Sequence, residues 1–387
     1  MGDLKPGWKR VALGDVADVI TDYWDRDSSR PERFVAGEHI DEGALRVSRW
    51  GMTDDELVPP TFNRRFKAGD VLFHSRNIRK LAQPDFGGIT GEKIFVLRTR
   101  DPQVLMQGLL PFLLQITAFS DYTERMWAGS TNKFLNKAPL VKYEFALPPM
   151  EEQMRITQLL EAIRATVEYC QRSKNEADTV ISAFVENRLH SLRSSFSEAS
   201  AVDLLDRLTV GIVVRPSDWY TSDGSGVPAL RSLNVRPGEL NFNDLVRISS
   251  DGHAAHEKSQ LLPGDVVVVR TGRPGEAAVV PEEIGLLNCI DLIVTTPGKN
   301  LNSHFFALFL NSATGRRSFS AGAAGTAQQH FNVGAFKHIR LPLPPIDMQV
   351  ETVSKVEVFA SARSALEDRI AGLKMLMQSA LQDGVIQ

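Results

Sequence analysis

The sequence predicts an α+β protein in which two similar mixed α/β globular domains are joined by two long helices that form an antiparallel coiled coil. Three observations predict this fold: an internal repeat, a proline-rich boundary in each half, and helical periodicity after each boundary. The boundaries place the globular domains at residues 1–149 and 196–345 and the helices at residues 150–195 and 346–387. A chain of 387 residues exceeds one ordinary core, which agrees with two domains related by a pseudo-two-fold repeat.

The boundary is the motif Leu-Pro-Pro with a glutamine four residues further on. It occurs at Leu147–Gln153 and again at Leu343–Gln349, an offset of 196 residues. Paired prolines end a strand or a helix, because proline lacks the N–H that either would need. Proline is tolerated in a first helical turn, and acidic side chains there suit the positive end of the helix dipole. Each copy therefore predicts where a globular domain ends and a helix begins.

The globular domains are predicted to consist of short strands and turns with few helices. Turn residues at Gly69-Asp70 and Gly264-Asp265 precede the apolar runs Val71–Phe73 and Val266–Val269, which predict buried strands at matching places in the repeat. Three further segments complete the first domain: helical spacing at Val11–Ile20, an alternating strand at Ile94–Leu97 and a compact helix at Leu109–Phe119.

The two long segments each carry a narrow apolar seam. Apolar residues recur there at steps of three and four, and between 150 and 193 neither Gly nor Pro occurs. A helix of ~40 residues is roughly 60 Å long, and a seam of that length requires a packing partner. Two arrangements satisfy it: the helices pair with each other, or each packs on its own globular domain.

Composition and motifs exclude several classes of protein. The net charge is −3, no apolar run is long enough for a bilayer, and the N-terminus lacks the apolar core of a signal peptide. The only cysteines, Cys170 and Cys289, have no metal-ligand spacing, so we expect a reducing, cytoplasmic setting. No phosphate-binding loop, adenine-methyltransferase motif or HExxH pattern occurs, and His253 and His256 lack a third ligand nearby. We therefore expect no metal and no chemistry by this chain alone.

Local charge indicates a nucleic-acid surface. Residues 62–100 carry nine basic and three acidic side chains, and the loop His74–Lys80 follows the buried strand. Arginine suits guanine edges and phosphates, whereas asparagine and glutamine suit adenine; a solvated surface loop is the alternative interpretation. With the equivalent loop of the second half and the polar loops before each boundary, the candidate DNA-binding residues are Arg64, Arg65, His74, Arg76, Asn77, Arg79, Lys80, Asn132, Lys133, Arg270, Thr271, Arg273, Gln328, Gln329 and His330.

The whole chain resembles the specificity subunit of Type I restriction-modification systems. Leu147–Gln153 is similar to the family's Leu-Pro-Pro-Leu-x-Glu-Gln signature, and the second copy departs from it at Asp347-Met348 but keeps Gln349. The Gly-Asp turns before Val71 and Val266 are also similar to those of the family. The apolar seams follow from the helical spacing, and the resemblance implies that the paired helices dock other subunits. The candidate residues for subunit docking and the coiled coil are Pro148, Pro149, Glu152, Gln153, Ile156, Leu160, Ile163, Ile181, Phe184, Pro344, Pro345, Gln349, Leu366, Ile370, Leu373 and Met377.

The resemblance also implies the partners. Each globular domain would be a target-recognition domain that reads one half of a split site in double-stranded DNA, and the coiled coil would dock two methyltransferase subunits. A restriction/translocase subunit would join where the system also cleaves DNA. S-adenosylmethionine would bind the methyltransferase, so no cofactor is expected on this chain. Because Arg76 and Asn77 lie in one loop and Arg270 and Arg273 in the other, the site is predicted to be asymmetric.

Two other functions remain compatible with the sequence. An autonomous DNA-modifying enzyme with degenerate motifs would modify or cut DNA as the purified chain. A scaffold whose duplicated domains bind proteins would agree with the net charge of −3 and would bind no duplex, even together with its methyltransferase.

Overall fold

A computed structural model describes residues 4–25, 28, 31–54, 58–130, 132–222, 224–321 and 333–385. The chain divides into two compact units, one of residues 1–171 with 368–387 and one of residues 172–367. Each unit therefore contains one globular part and a segment of each long helix. Among the described residues, no helix is long and apolar enough to cross a membrane.

The first unit contains three small sheets. The sheet orders are β1-β10, β2-β9-β6-β7 and β4-β3-β8-β5, and all strand pairs are antiparallel except the parallel pair β3 and β8. In chain order the elements are β1 (Lys9–Ala12), α1 (Leu13–Val16), β2 (Ala17–Val19), β3 (Arg33–Val35), β4 (Gly51–Met52), β5 (Arg64–Phe66), β6 (Val71–His74), β7 (Leu81–Ala82), β8 (Gly88–Thr90), β9 (Ile94–Thr99), α2 (Leu110–Leu113), α3 (Thr117–Arg125), α4 (Lys137–Val141), β10 (Glu144–Leu147) and the start of α5 (Met150–Ser195).

Two helix predictions for this unit are wrong. Val11–Ile20 is not one helix, since β1 pairs with β10, β2 pairs with β9, and only Leu13–Val16 between them is helical. Leu109–Phe119 is broken into α2 and α3, because Ile116 is extended at ψ 150° and turns the chain. In both places burial against the rest of the unit overrides the local periodicity. The buried strand expected at Val71–Phe73 is confirmed as β6.

The second unit repeats this plan. The orders β11-β21 and β12-β20-β17-β18 match β1-β10 and β2-β9-β6-β7, and the parallel pair β13 and β19 matches β3 and β8. Its elements are β11 (Glu198–Ser200), β12 (Leu205–Val210), β13 (Val227–Leu230), β14 (Val235–Arg236), β15 (Glu239–Leu240), β16 (Val246–Ile248), α6 (Ser250–Ala255), β17 (Val266–Val269), β18 (Ala277–Val279), β19 (Asn288–Cys289), β20 (Leu292–Pro297), α7 (Ser303–Asn311), α8 (Ala313–Ala321), β21 (Arg340–Pro342) and α9 (Ile346–Val385), which continues into the first unit.

The long helices α5 and α9 pair in an antiparallel direction within the second unit. Lys174 Nζ lies 3.3 Å from Glu367 Oε1, and further along α5 the Arg188 Nε donates to Thr352 Oγ1 at 3.2 Å. Between them the rings of Phe184 and Phe359 lie 6.2 Å apart. As the residue number rises on α5 it falls on α9, so the helices run in opposite directions.

The same helices also pack on the globular parts. In the first unit Ile156, Leu160 and Leu381 lie in one buried cluster with strands β6 and β9. In the second unit Val185 and Leu189 share a cluster with Phe305 and other residues of the globular part. The two arrangements that the sequence left open therefore occur together.

A buried glutamine joins each long helix to its globular part. Gln153 Oε1 accepts from the Met106 N–H at 3.0 Å, and its Nε2 donates to the carbonyls of Val104 at 2.8 Å and Pro148 at 2.9 Å. The residue is 1% exposed. Three bonds to main-chain groups of two segments hold the first turn of α5 against the loop after β9.

Gln349 makes the same three bonds in the second unit. It accepts from the Asn302 N–H at 2.9 Å and donates to the carbonyls of Asn300 at 3.0 Å and Pro344 at 2.9 Å. Each of these residues lies 196 positions after its counterpart in the first half. The internal repeat therefore extends to individual hydrogen bonds. Both glutamine side chains bond to main-chain groups of this chain.

Replacement of either glutamine by alanine is expected to lower the free energy of unfolding by about 3 kcal/mol, because buried main-chain groups lose their partners. Hydrogen exchange of the intact chain would report the loss near residues 104–106 for Gln153→Ala and near residues 300–302 for Gln349→Ala. Gln158→Ala, an exposed position on the same helix, is the control and should change little. Equal exchange in all three variants would contradict the role of the buried amides.

Candidate nucleic-acid interface

The candidate loop of the first unit rests on an ion pair whose aspartate is buried. Asp70 precedes β6 and is 2% exposed, and Arg98 Nε and Nη2 donate to its two carboxylate oxygens at 2.7 Å each. Asp70 Oδ2 also accepts from the Lys67 N–H at 2.7 Å, which closes the turn. The hydrogen bond to Asp70 raises the pKa of Arg98. Breaking such a pair leaves a buried charge, so β6 and the loop after it have a rigid base.

The second unit has an equivalent aspartate–arginine ion pair, but its arginine lies on a different strand. Asp265 is fully buried before β17, and it pairs with Arg207 of β12 while Thr296 Oγ1 donates to its Oδ1 at 2.6 Å. Strand register makes Thr296 the equivalent of Arg98, and Arg207 the equivalent of Asp18. The arginine has thus crossed to the neighbouring strand, and the contact with the aspartate is preserved.

The structure divides the predicted basic residues of the first unit into tethered and available side chains. Arg64 Nη1 donates to the Ile94 carbonyl at 3.0 Å, and Lys80 Nζ donates to the Gly37 carbonyl at 2.6 Å. Asn77 Nδ2 donates to Glu42 Oε1 at 2.7 Å, and Asn77 Oδ1 accepts from the Arg79 N–H at 3.1 Å. These side chains shape the loop from within.

Arg76 and Arg79 differ from the tethered residues. Both are exposed, and within the part of the chain that the structure describes neither guanidinium has a hydrogen bond or an ion pair. Together with Glu42, Asn77, Glu124 and Trp127 they line a cleft of about 390 Å³. Arg65 is also exposed, on β5. The available cations therefore lie where an external anion can reach them.

A second cleft of about 400 Å³ also adjoins the loop. His74, Lys80 and Lys93 line it together with Phe62. Burial lowers the pKa of His74, and the positive charges of Lys80, Lys93 and Arg76 lower it further. Its Nδ1 accepts from the Arg76 N–H at 3.2 Å, which suits a neutral ring. Sequence reasoning did not single out Glu42 or Trp127, and it counted Lys93 only toward the local charge of residues 62–100, because only the fold brings these residues to this loop.

The polar loop before the first boundary is closed at its base by a pair of main-chain hydrogen bonds. Ala128 and Phe134 exchange main-chain hydrogen bonds of 2.9 and 3.0 Å, and Gly129 turns the chain at φ 88°. Asn132 and Lys133 are exposed near its tip, and Lys133 Nζ lies 5.4 Å from the centre of the Trp127 ring. The corresponding candidates of the second half, Gln328, Gln329 and His330, lie outside the described residues.

The loop after β17 differs in charge from its counterpart in the first unit. Arg270 Nη1 donates to Asp291 Oδ1 at 2.6 Å, and Thr271 Oγ1 lies 3.4 Å from Asp291 Oδ2. Arg273 Nη1 lies 3.1 Å from Glu276 Oε2. Both predicted arginines of this loop therefore carry an acidic partner, whereas Arg76 and Arg79 have none among the residues that the structure describes.

The predicted helix residues lie mostly in the pairing surfaces or in the core. Pro149 and Pro345 are exposed, Glu152 is half-buried beside Arg155, and Gln153 and Gln349 are the buried glutamines described above. Ile156, Leu160, Ile163 and Ile370 are buried, as are Pro148 and Pro344, whereas Ile181, Phe184, Leu366, Leu373 and Met377 are half-buried. Among the described residues no group of three or more His, Cys, Asp and Glu side chains could hold a metal ion.

Comparison with known proteins identifies the class to which this fold and surface belong. Residues 5–178 and 234–373 match the family described as Type I restriction modification DNA specificity domain. Because the match covers most of the chain, the protein belongs to this family.

Two specificity subunits of Escherichia coli are similar to much of the chain. The chain is 25% identical over 285 residues to the Type I restriction enzyme EcoBI specificity subunit of Escherichia coli, covering 65% of this chain and 59% of that one. It is 21% identical over 296 residues to the EcoKI specificity subunit of Escherichia coli K12, covering 70% and 62%. The chain thus spans about three fifths of the length of these relatives.

Solved structures share the fold. The S subunit of a Type I restriction-modification system from M. genitalium has a TM-score of 0.60 at 13% identity, covering 99% of this chain and 97% of that one. A chain from a study of assembly and conformational transition of the type I R-M system has a TM-score of 0.59 at 20% identity, covering 99% of both.

His74 provides a pH test of the charge around the second cleft. Because its pKa is lowered in the folded state, the unfolded chain binds more protons, and the first unit should lose stability as pH falls below the ordinary histidine pKa. An NMR titration of the ring should show the low pKa in the wild type. Lys93→Met, which removes one nearby positive charge, should raise it, and His74→Gln should remove this part of the pH dependence. A titration that is unchanged in Lys93→Met would contradict the contribution assigned to the Lys93 charge.

Proposed function

We propose that this chain is the sequence-specific DNA-recognition subunit of a Type I restriction-modification complex. Each unit would read one half of a bipartite, asymmetric site in double-stranded DNA. The observation that carries the proposal is the duplicated plan with unlike loops: the same strands support Arg76 and Arg79 in one unit and Arg270 with Asp291 in the other. Membership of the specificity-domain family supports it, as does the similarity to the EcoBI and EcoKI specificity subunits.

In the proposed mechanism the loop contacts DNA, and the ion pair beneath the loop holds it in place. The exposed guanidinium groups of Arg76 and Arg79 would contact phosphates or guanine edges, for which their planar donors are suited. The Asp70–Arg98 pair would keep β6 and the loop at a constant position, so that little ordering is needed on binding. Continuous helices α5 and α9 would set the spacing between the half-sites.

We also propose that the chain is not catalytic by itself. Methylation would be carried out by two adenine methyltransferase subunits, and S-adenosylmethionine would bind to them, with a restriction/translocase subunit added where DNA is cleaved. Equivalent exposed apolar residues near the starts of α5 and α9 support two equivalent docking surfaces. Met154 and Val350 occupy the same place in the repeat, and each is 44% exposed. Two like apolar surfaces suit two copies of one partner.

Arg76→Ala and Arg79→Ala are expected to weaken DNA binding by the assembled methyltransferase complex by about 1–3 kcal/mol for each base contact. Mapping methylated adenines in the host genome would first define the target duplex, and binding would be measured over a range of salt concentrations. A phosphate contact would instead lower the salt dependence by about one ion and affect all sequences equally. Arg100→Ala, which removes an exposed arginine paired with Asp18 on β2, is the control. Unchanged binding of both loop variants would remove this loop from the interface.

Met154→Glu and Val350→Glu are each expected to remove one methyltransferase subunit from the complex, since a charge in an apolar contact costs about 2 kcal/mol or more. Native mass spectrometry of the coexpressed subunits would count them, and the double variant should retain none. Val358→Glu, at a residue of α9 that is 70% exposed, is the control and should retain two. Two bound methyltransferases in the double variant would show that docking occurs elsewhere.

A further inference from the structure

The residues that directly precede β9 and β20 carry opposite charges in the two units. His74 pairs with Ile94 in the first unit, and Val269 pairs with Leu292 in the second. The preceding residues, Lys93 and Asp291, are therefore equivalent. Lys93 is exposed at the edge of the second cleft, beside the candidate loop. The position thus belongs to the loop surface in both units.

Asp291 is held in a defined orientation. Arg270 Nη1 donates to its Oδ1 at 2.6 Å, and Thr271 Oγ1 lies 3.4 Å from its Oδ2. Its main-chain N–H donates to the Ile212 carbonyl at 3.1 Å, and its backbone is left-handed at φ 51°. A non-glycine residue in this region is uncommon, and aspartate is among the residues that tolerate it best. Backbone and side chain together point the carboxylate in one direction.

Within the ion pair, Asp291 is the outer member. Its side chain is 37% exposed, whereas that of Arg270 is 15% exposed. Arg270 is therefore mostly covered and holds the carboxylate, rather than presenting its own guanidinium to a ligand. A carboxylate accepts hydrogen bonds and donates none, and it repels phosphates. In the major groove its suitable partners are the exocyclic amino groups, N4 of cytosine and N6 of adenine.

We propose that Asp291 is a specificity-determining residue that accepts a hydrogen bond from the exocyclic amino group of a cytosine or adenine in the half-site of the second unit. Arg270 acts as its positioning residue. This inference rests on the proposed DNA-recognition function and goes beyond it by naming the group that is read. At the equivalent point of the first unit, Lys93 presents a donor, which suits the acceptors of guanine. The two units therefore differ at this point in the kind of base they select.

The test uses the assembled complex with its methyltransferase subunits and a fluorescent duplex carrying the mapped site. Asp291→Gly removes the carboxylate while glycine adopts the left-handed backbone without strain. It should weaken binding to the target about tenfold and abolish discrimination at one base pair of one half-site, leaving the other half-site unaffected. Asp291→Asn keeps an acceptor oxygen without the charge and should retain part of that discrimination.

Two further variants separate charge and positioning from direct reading. Asp18→Asn changes the net charge equally at an exposed pair with Arg100, and it should leave discrimination at every base pair unchanged. Arg270→Ala should reduce discrimination at the same base pair as Asp291→Gly and at no other. A general loss of folding would instead lower the melting temperature and affect both half-sites.

Base analogues identify the group on the DNA. Cytosines in the half-site are replaced one at a time by 2-pyrimidinone and adenines by unsubstituted purine, each of which lacks the amino group. One replacement should weaken wild-type binding about tenfold and cause no further loss in Asp291→Gly, since the two changes remove the same contact. Whether that replacement falls on a cytosine or an adenine names the base.

Other results would overturn the inference in distinct ways. Tighter binding of Asp291→Gly to all duplexes would show that the carboxylate only repels phosphates. Unchanged binding of Asp291→Gly, with normal target preference in the wild type, would place Asp291 outside the interface. A wild-type complex that binds the mapped target no better than a scrambled duplex would refute the proposed function itself.

Discussion

The buried amide of one glutamine in each half is the constraint on which the arrangement of helix and globular part depends. A buried polar group is tolerated only when its hydrogen bonds are made, and Gln153 and Gln349 each make three to main-chain atoms. These bonds form only when the first helical turn lies against the loop after β9 or β20. The prolines before each glutamine stop the preceding strand, and the amide then sets where the helix starts. The boundary motif is therefore a structural joint.

The joint at the helix start has a counterpart within each sheet. Asp70 and Asp265 close equivalent turns, yet their arginine partners come from adjacent strands, Arg98 from β9 and Arg207 from β12. The requirement is a guanidinium beside a buried carboxylate, and either strand of the same ladder can supply it. The two halves can thus differ in sequence while the ion pair beneath the loop after β6 or β17 is preserved. This explains how one scaffold can carry two unlike surfaces.

The surfaces themselves differ in which charges are available. In the first unit the tethered side chains Arg64, Asn77 and Lys80 shape the loop, and the exposed guanidinium groups extend from it. In the second unit Arg270 is tied to Asp291, so the outward group at the position equivalent to Lys93 is a carboxylate. A net charge of −3 for the whole chain therefore says little about either surface. Specific reading depends on such local differences more than on total charge.

The sequence by itself determined the duplicated plan, the start of each long helix and the buried strand before each loop. These follow from local rules: proline ends an element, apolar spacing defines a helix, and Gly-Asp marks a turn. The predictions of one helix at Val11–Ile20 and one at Leu109–Phe119 are wrong, because long-range strand pairing and burial override periodicity there. Only the tertiary structure decided which basic groups are available and that Glu42, Lys93 and Asp291 belong to the loop surfaces. Those properties depend on contacts between residues far apart in the chain, such as Asn77 with Glu42 and Arg270 with Asp291, and no local pattern encodes them.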